Sequence, residues 1–279
     1  MLLGVGVVGL AVVTTWLGTR RQQNALAAKT EQLIAAGTAH TVWPVAGEQA
    51  FADVPPPVAR YLRLAIPSQR QIDQVRILQS GTLRTNPTSA RWIPFEAEHL
   101  VVPAAAGFLW NARVQVAPLI HVRVRDALID GIGSGQVALL SAVTVSAADG
   151  GIEMNSGSLH RYLAEAVWYP TALLPSSHLR WSAINATSAL ATLTSHDVSV
   201  SLEFRFAPSG EVTGIYTPAR WGTFSGGFRQ LPWEGHFRNY RQQDGILVPT
   251  EADVGWYIDD EWRAVWKGTI VQYAVRMRD

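Results

Sequence analysis

The sequence predicts an α+β fold dominated by antiparallel β structure: a curved sheet or half-barrel of roughly a dozen strands wrapped around one central helix, with an N-terminal transmembrane helix. Three observations carry this reading. Alternation of apolar and polar residues recurs from Val75 to Val275, the pattern of strands with one dry and one wet face. A single strongly helical stretch, Leu159 to Leu174 (LHRYLAEAVWYPTALL), interrupts it. The first nineteen residues carry no charged side chain.

Size and composition set the outer bounds. A chain of 279 residues with 48% hydrophobic content can bury one full core, and one domain is favoured over two. A formal net charge of +1, with no Lys/Arg cluster interleaved with aromatics, leaves no electrostatic footprint for nucleic acid. The absence of cysteine excludes disulfides, thiol nucleophiles and thiolate metal sites; it suits a reducing cytosol and a cysteine-poor bacterial envelope equally. Of the eleven tryptophans, the ten from Trp43 to Trp266 spread large polar-tipped rings through the domain.

Residues 1–19 form the expected anchor: Leu2 to Leu17 is almost wholly apolar, and as a helix the stretch would reach about 28 Å at ~1.5 Å per residue, close to the hydrocarbon thickness. The competing reading, a secretory signal peptide, lacks a basic leading region and a clear small-x-small cleavage site. Arg20 and Arg21 then lean the following domain towards the cytoplasm by the positive-inside tendency, the periplasmic or extracellular side being the alternative for this single-pass chain. Residues 20–54 read as a helical and irregular linker, in which Gln22 to Ala36 prolongs the anchor helix and Gly37 ends it.

The single β-rich domain spans residues 55–279. Pro55-Pro56-Pro57 leads into a short helix, Val58 to Ala65, that stops before Pro67. Strands are expected near Val75–Ile77 and then Gly81–Leu83, Trp92–Val102, Phe108–Val116 and Ile120–Ile129. A turn at Asp130-Gly131 then leads to one returning strand, Gln136–Val145. Within the central helix, Leu159, Leu163, Ala166 and Val167 make an apolar stripe, Arg161, Glu165 and Trp168 an opposite row, and Pro170 the stop. Strands resume at Leu179–Ile184, Ala189–Thr194, Val198–Phe206, Val212–Thr217, Trp233–Tyr240, Ile246–Tyr257 and Trp262–Val275. There is no βαβ alternation and no fixed-period repeat.

Candidate chemistry is sparse. Gly131, Gly133 and Gly135 are followed by a strand and not a helix, so they read as hairpin turn chemistry. The seven histidines lack ligand spacing, and no serine or lysine nucleophile motif occurs, so neither a metal site nor a cofactor is expected. Carboxylates offer more. Glu98 shares a strand face with Glu96, Asp126 closes a strand, and Glu165 lies on the helix one turn from Arg161. If Glu98, Asp126 and Glu165 converged, an acid and a base could be split from them. The plainer reading makes Glu96 and Glu98 solvated and Arg161/Glu165 an i, i+4 ion pair. Trp110, Trp168, Trp181 and Trp233, with Arg161, are the candidates for lining an apolar pocket, set against ordinary core roles.

Five segments carry a resemblance: PPPVARYL (55–62), WIPFEAE (92–98), VRDALIDGIG (124–133), RYLAEAVWYP (161–170) and GILVPTE (245–251). Together they resemble an uncharacterised bacterial family of unknown function, usually with an N-terminal membrane anchor. The chain departs from its expected Ala-Glu-Gln at Ala97-Glu98-His99. More remotely, the meander through Tyr240, Gly245-Ile246 and Pro249-Thr250 is similar to half-barrels of the LolA type, a resemblance that implies an incomplete barrel wrapping a helix and holding acyl chains. The reading that follows is a membrane-anchored protein that binds a lipophilic small molecule or lipid between helix and sheet. The alternatives are an enzyme using carboxylates in the same cavity, and a structural envelope protein.

Overall fold

The computed structural model describes residues 2–38, 47–66, 70–118 and 120–278, with side chains from residue 17 onward. Among them is one 13-stranded antiparallel sheet that curls into a half-barrel. Six strands run outward from its middle: β1 (Ile72–Leu83), β2 (Ile93–Val102), β3 (Gly107–Ala117), β4 (Ile120–Ile129), β5 (Ile132–Leu139) and β6 (Val143–Asp149). Seven more return from the far edge: β7 (Leu179–Asn185), β8 (Ser188–Ser195), β9 (Val198–Phe206), β10 (Val212–Phe224), β11 (Gly227–Gln243), β12 (Ile246–Ile258) and β13 (Glu261–Met277). The two meanders meet where β13 pairs with β1, Ile72 opposite Met277 and Leu83 opposite Trp266. The edges are β6 and β7, and the chain passes between them through α4 (Ile152–Glu165) and two 3₁₀ turns, Ala166–Trp168 and Pro170–Leu173.

Alternation decides which face is dry. On β3, Phe108, Trp110, Ala112 and Val114 join the main core with Leu159, Leu163 and Val167 from α4 and the turn after it. The neighbouring residues Leu109, Ala127 and Ile129 point to the opposite, outer face and bury Leu33 of α1 (Leu2–Thr38) in a second, smaller core. Residues 20–38, expected in the linker, are thus the later part of one long helix lying on the sheet. Lys29 Nζ donates to Ser134 Oγ at 3.1 Å and Gln32 Nε2 to Asp130 Oδ2 at 3.2 Å. The short helix α3 (Pro56–Ala65) opens with prolines in its first turn, where no N–H is needed, and packs Tyr61 against Phe206 in a tilted pair with ring centres 6.1 Å apart. Pro67, the expected stop, lies outside the described residues.

Several expectations need correction. Gln136–Val145 is not one returning strand but parts of β5 and β6, separated by a turn at Leu140-Ser141-Ala142. β6 is exposed throughout, so the alternation of Val143-Thr144-Val145-Ser146 marks no buried face. The central helix begins seven residues earlier than read, at Ile152, and becomes 3₁₀ after Glu165. A short helix α2 (Glu48–Ala52) occurs where irregular chain was expected; it buries Phe51. The anchor rests on residues 1–19, and the side chains of residues 1–16 lie outside those described. Among the described residues no helix is long and apolar enough to cross a membrane.

Candidate functional site

The inner face of the sheet and α4 place four ionised or ionisable groups together. Arg161 donates from Nε to Glu165 Oε1 at 2.8 Å and from Nη1 to Asp126 Oδ2 at 2.9 Å. Its guanidinium lies 4.9 Å from the centre of the Phe108 ring and 5.1 Å from that of Trp110. The other Glu165 oxygen, Oε2, is 3.5 Å from Nε2 of His99, and among the described residues neither atom has a hydrogen-bond partner. His99 is fully buried, edge-on to Phe108 and Trp168.

Burial is the largest single influence on the titration of every member, and at Arg161 its carboxylate partners together outweigh it. It raises the pKa of Glu165, opposed by the adjacent Arg161. Asp126 is raised in the same way although 38% of its side chain is exposed, because the surrounding walls remove water while Arg161 pulls the other way. Burial opposes the charge on Arg161, and Glu165 and Asp126 overcome it, so its pKa rises. His99 is pushed well below its ordinary value by burial and by Arg161, which keeps it neutral.

A fifth group completes the arrangement. Arg220 on β10 donates from Nε and Nη2 to the Gly157 carbonyl at 3.2 and 2.9 Å, and stacks on Trp233 at 4.5 Å and Trp256 at 5.1 Å. Burial and Arg161 pull its pKa down to about 9, so it remains a cation at neutral pH. Gly157 is required here: a Cβ on it would sit 2.7 Å from the Trp221 carbonyl oxygen, and α4 could not lie this close to β10. Arg161, Arg220 and Asp126 line a cleft of about 410 Å3 between α4, the β4–β6 wing and β10–β12. Its apolar walls include Phe108, Met154, Trp221, Phe228 and Trp256.

The sequence candidates are divided by this geometry. Asp126, Arg161 and Glu165 converge. Glu98 does not: the alternation that turns Ala97 and His99 inward turns Glu98 outward, where it pairs with Arg76 at 3.0 Å. Trp110, Trp168 and Trp233 are buried in the core and Trp181 is half-buried against it. Three indole N–H groups donate internally: Trp110 to Gln79 Oε1, Trp168 to the Pro249 carbonyl and Trp181 to the Leu173 carbonyl. The tryptophans on the cleft are Trp221 and Trp256. Sequence reasoning missed Trp221 and Arg220 because it ended this strand at Thr217, just before Pro218. The strand absorbs that proline in a register shift between Thr217 and Arg220 and continues to Phe224. Among the described residues no cluster of metal-ligating side chains is placed to hold an ion.

On the other side of α4 lies a second cleft of about 450 Å3, lined in part by His160, Tyr216 and Glu203. His160 is 5% exposed and its pKa is pushed down to about 4, by burial first and then by Arg220, with the Ser156 carbonyl opposing. A histidine depressed on folding adds stability above its unfolded value of 6.5 and loses it as pH falls towards the folded value. At ~1.4 kcal/mol per pH unit, His160 should therefore remove about 3 kcal/mol of stability between pH 7 and 4. Asp126 and Glu165, raised on folding, act in the opposite sense. The measurement is thus a comparison: urea unfolding of His160→Gln should weaken less on acidification than that of the native chain, and parallel loss in both would contradict the assignment.

Among solved structures, the fold is similar to a LolA superfamily protein from Nitrosomonas europaea, 11% identical, covering 80% of this chain and 93% of that one with a TM-score of 0.42. It is also similar to a β-barrel-like protein of the domain of unknown function DUF1849 from Brucella abortus, 10% identical, covering 74% and 99% with a TM-score of 0.24. No curated protein matches the sequence. Residues 52–274, nearly the whole half-barrel, match the model of DUF6920, a family of unknown function, and the chain belongs to that family.

Proposed function

We propose that this protein, held at a membrane by residues 1–19, binds an amphiphile with an anionic head and an apolar body in the cleft beside α4. One observation carries the reading. Arg220, half-buried on the cleft, has no carboxylate within ion-pair distance among the described residues, while aromatic walls stand directly beside it. A cation held in place by a backbone carbonyl and two indole faces keeps N–H donors for an anionic head. Trp221, Phe228 and Trp256 would cover the apolar part. Acid–base chemistry has less support, because His99 and the unpartnered oxygen of Glu165 are sealed from the cleft and Asp126 alone of the three candidate carboxylates lines it.

The test uses the full chain in amphipol, with oleate as the anionic probe and oleyl alcohol as its neutral counterpart. Calorimetric titration of oleate should show binding that Arg220→Gln weakens by roughly 10- to 100-fold, the worth of a charge-assisted hydrogen bond of about 1.5–3 kcal/mol. Binding of oleyl alcohol should be nearly the same in both. Equal oleate affinity in the two proteins, or no oleate binding at all, would overturn the proposal.

A further inference from the structure

We infer that the end of the half-barrel formed by the β3–β4 and β5–β6 turns seats in the headgroup layer of an anionic phospholipid membrane, the same membrane that α1 enters. The inference rests on the reading of residues 1–19 as an anchor and adds to it an orientation and a second contact.

The path of α1 supplies the first observation. Its later part lies on the outer face of the sheet, and it reaches the β5–β6 turn at Gly18, where a Cβ would stand 2.7 Å from the Ala142 carbonyl oxygen. One turn further on, Gln22 Nε2 donates to Thr144 Oγ1 at 3.0 Å, and Arg125 Nη2 donates to the Gln22 carbonyl at 3.2 Å. The helix is continuous from Leu2, so its uncharged stretch leaves the sheet at this end and no other.

The second observation is what surrounds that exit. Ile120 is 45% exposed, Leu140 41% and Val143 62%, and Leu17 on α1 itself is 46% exposed. Such side chains gathered at two adjacent turns beside an apolar helix suit insertion at the depth where headgroups meet acyl chains. From the rim, Val122, Val124 and Val137 continue along the inner face, half-buried, and Val137 lines the proposed ligand cleft.

Charge gives the third. Arg113 and Arg123 stand on the outer face at this end, bonded to neutral partners: Arg113 to His121 Nδ1 and Arg123 to Ser141 Oγ, both at 3.4 Å. Glu96 stands opposite Arg113 across the β2–β3 pair, yet among the described residues no carboxylate is within ion-pair distance of Arg113 or Arg123, and Arg20 and Arg21 are exposed on the adjoining turn of α1. His121, held below its ordinary pKa by burial and then by Arg113 and Arg123, reports the same positive field. An apolar tip ringed by arginines complements lipid phosphates and suits no acidic, water-facing role.

The chain contains no cysteine, so single probes can be placed cleanly. Val143→Cys and, at the opposite end, Ile152→Cys are each labelled with an environment-sensitive fluorophore and reconstituted as full chain in phosphatidylcholine vesicles with and without phosphatidylglycerol. With a spin-labelled lipid present, the Val143 probe should be blue-shifted and quenched at least about twofold more than the Ile152 probe. Phosphatidylglycerol should strengthen that quenching, and Arg113→Gln with Arg123→Gln should abolish the strengthening. Flotation on a density gradient separates the two ideas. Failure to float overturns the anchor and this orientation with it, whereas floating protein with equally water-like probes overturns the orientation alone. Quenching at Val143 that ignores both phosphatidylglycerol and the arginines would overturn the anionic partner.

Discussion

Arg161→Met should lower the unfolding free energy by about 3–5 kcal/mol, the usual cost of removing one partner from a buried charged group. The variant leaves Glu165 sealed next to neutral His99 and leaves Asp126 without its donor. Glu165 carries most of the cost, since its side chain is 16% exposed against 38% for Asp126, which water screens in part. Adding Glu165→Gln to Arg161→Met should restore a large part of the loss, because a neutral amide replaces the stranded carboxylate. Urea unfolding with unchanged m-values would measure both effects. A loss below about 1 kcal/mol for Arg161→Met would mean that the cluster is solvated and not a buried ion network.

Trp168→Ala should cost about as much, roughly 3–5 kcal/mol, by the mechanism of a core cavity. Trp168 is 3% exposed, its ring neighbours are His99, Phe237 and Trp266, and its indole N–H donates to the Pro249 carbonyl at 3.0 Å. Its own carbonyl accepts from the Tyr273 hydroxyl at 2.7 Å, so the 3₁₀ turn after α4 is tied to both β12 and β13. Trp168→Phe should recover much of the packing and leave only the lost indole hydrogen bond. Equal destabilisation by Ala and Phe would place the energy in that bond and not in the volume.

Much of this architecture was legible because the physics is local. The first halves of β2 and β4 alternate visibly, since there one face is apolar and turned to the core while the other carries polar side chains, and the Asp130-Gly131 turn adopts the left-handed conformations its residues favour. The first half of α4 was not legible. Asn155, Ser156, Gly157 and Ser158 are poor helix formers, and they are tolerated because Gly157 must pass Trp221 closely. At the site, the Arg161–Glu165 pair followed from i, i+4 spacing, while Asp126 stood out only as a carboxylate closing its strand. His99 and Arg220 come from distant strands, and no local pattern announces that β2 and β10 will face each other across α4.

The seam between β1 and β13 governs the order in which this molecule can form. Every other strand pairs with its neighbour in sequence, so each meander can zip as soon as its turns close, whereas β1 must wait for residues 261–277. During synthesis the β1–β6 array, and later the β7–β12 array, emerge with open hydrogen-bonding edges at the sheet's future centre. β13, the last strand of this sheet to be synthesised, joins them. That interval is when one nascent chain can take the C-terminal strand of another, so domain exchange through β13 is the misassembly to which this topology is most open.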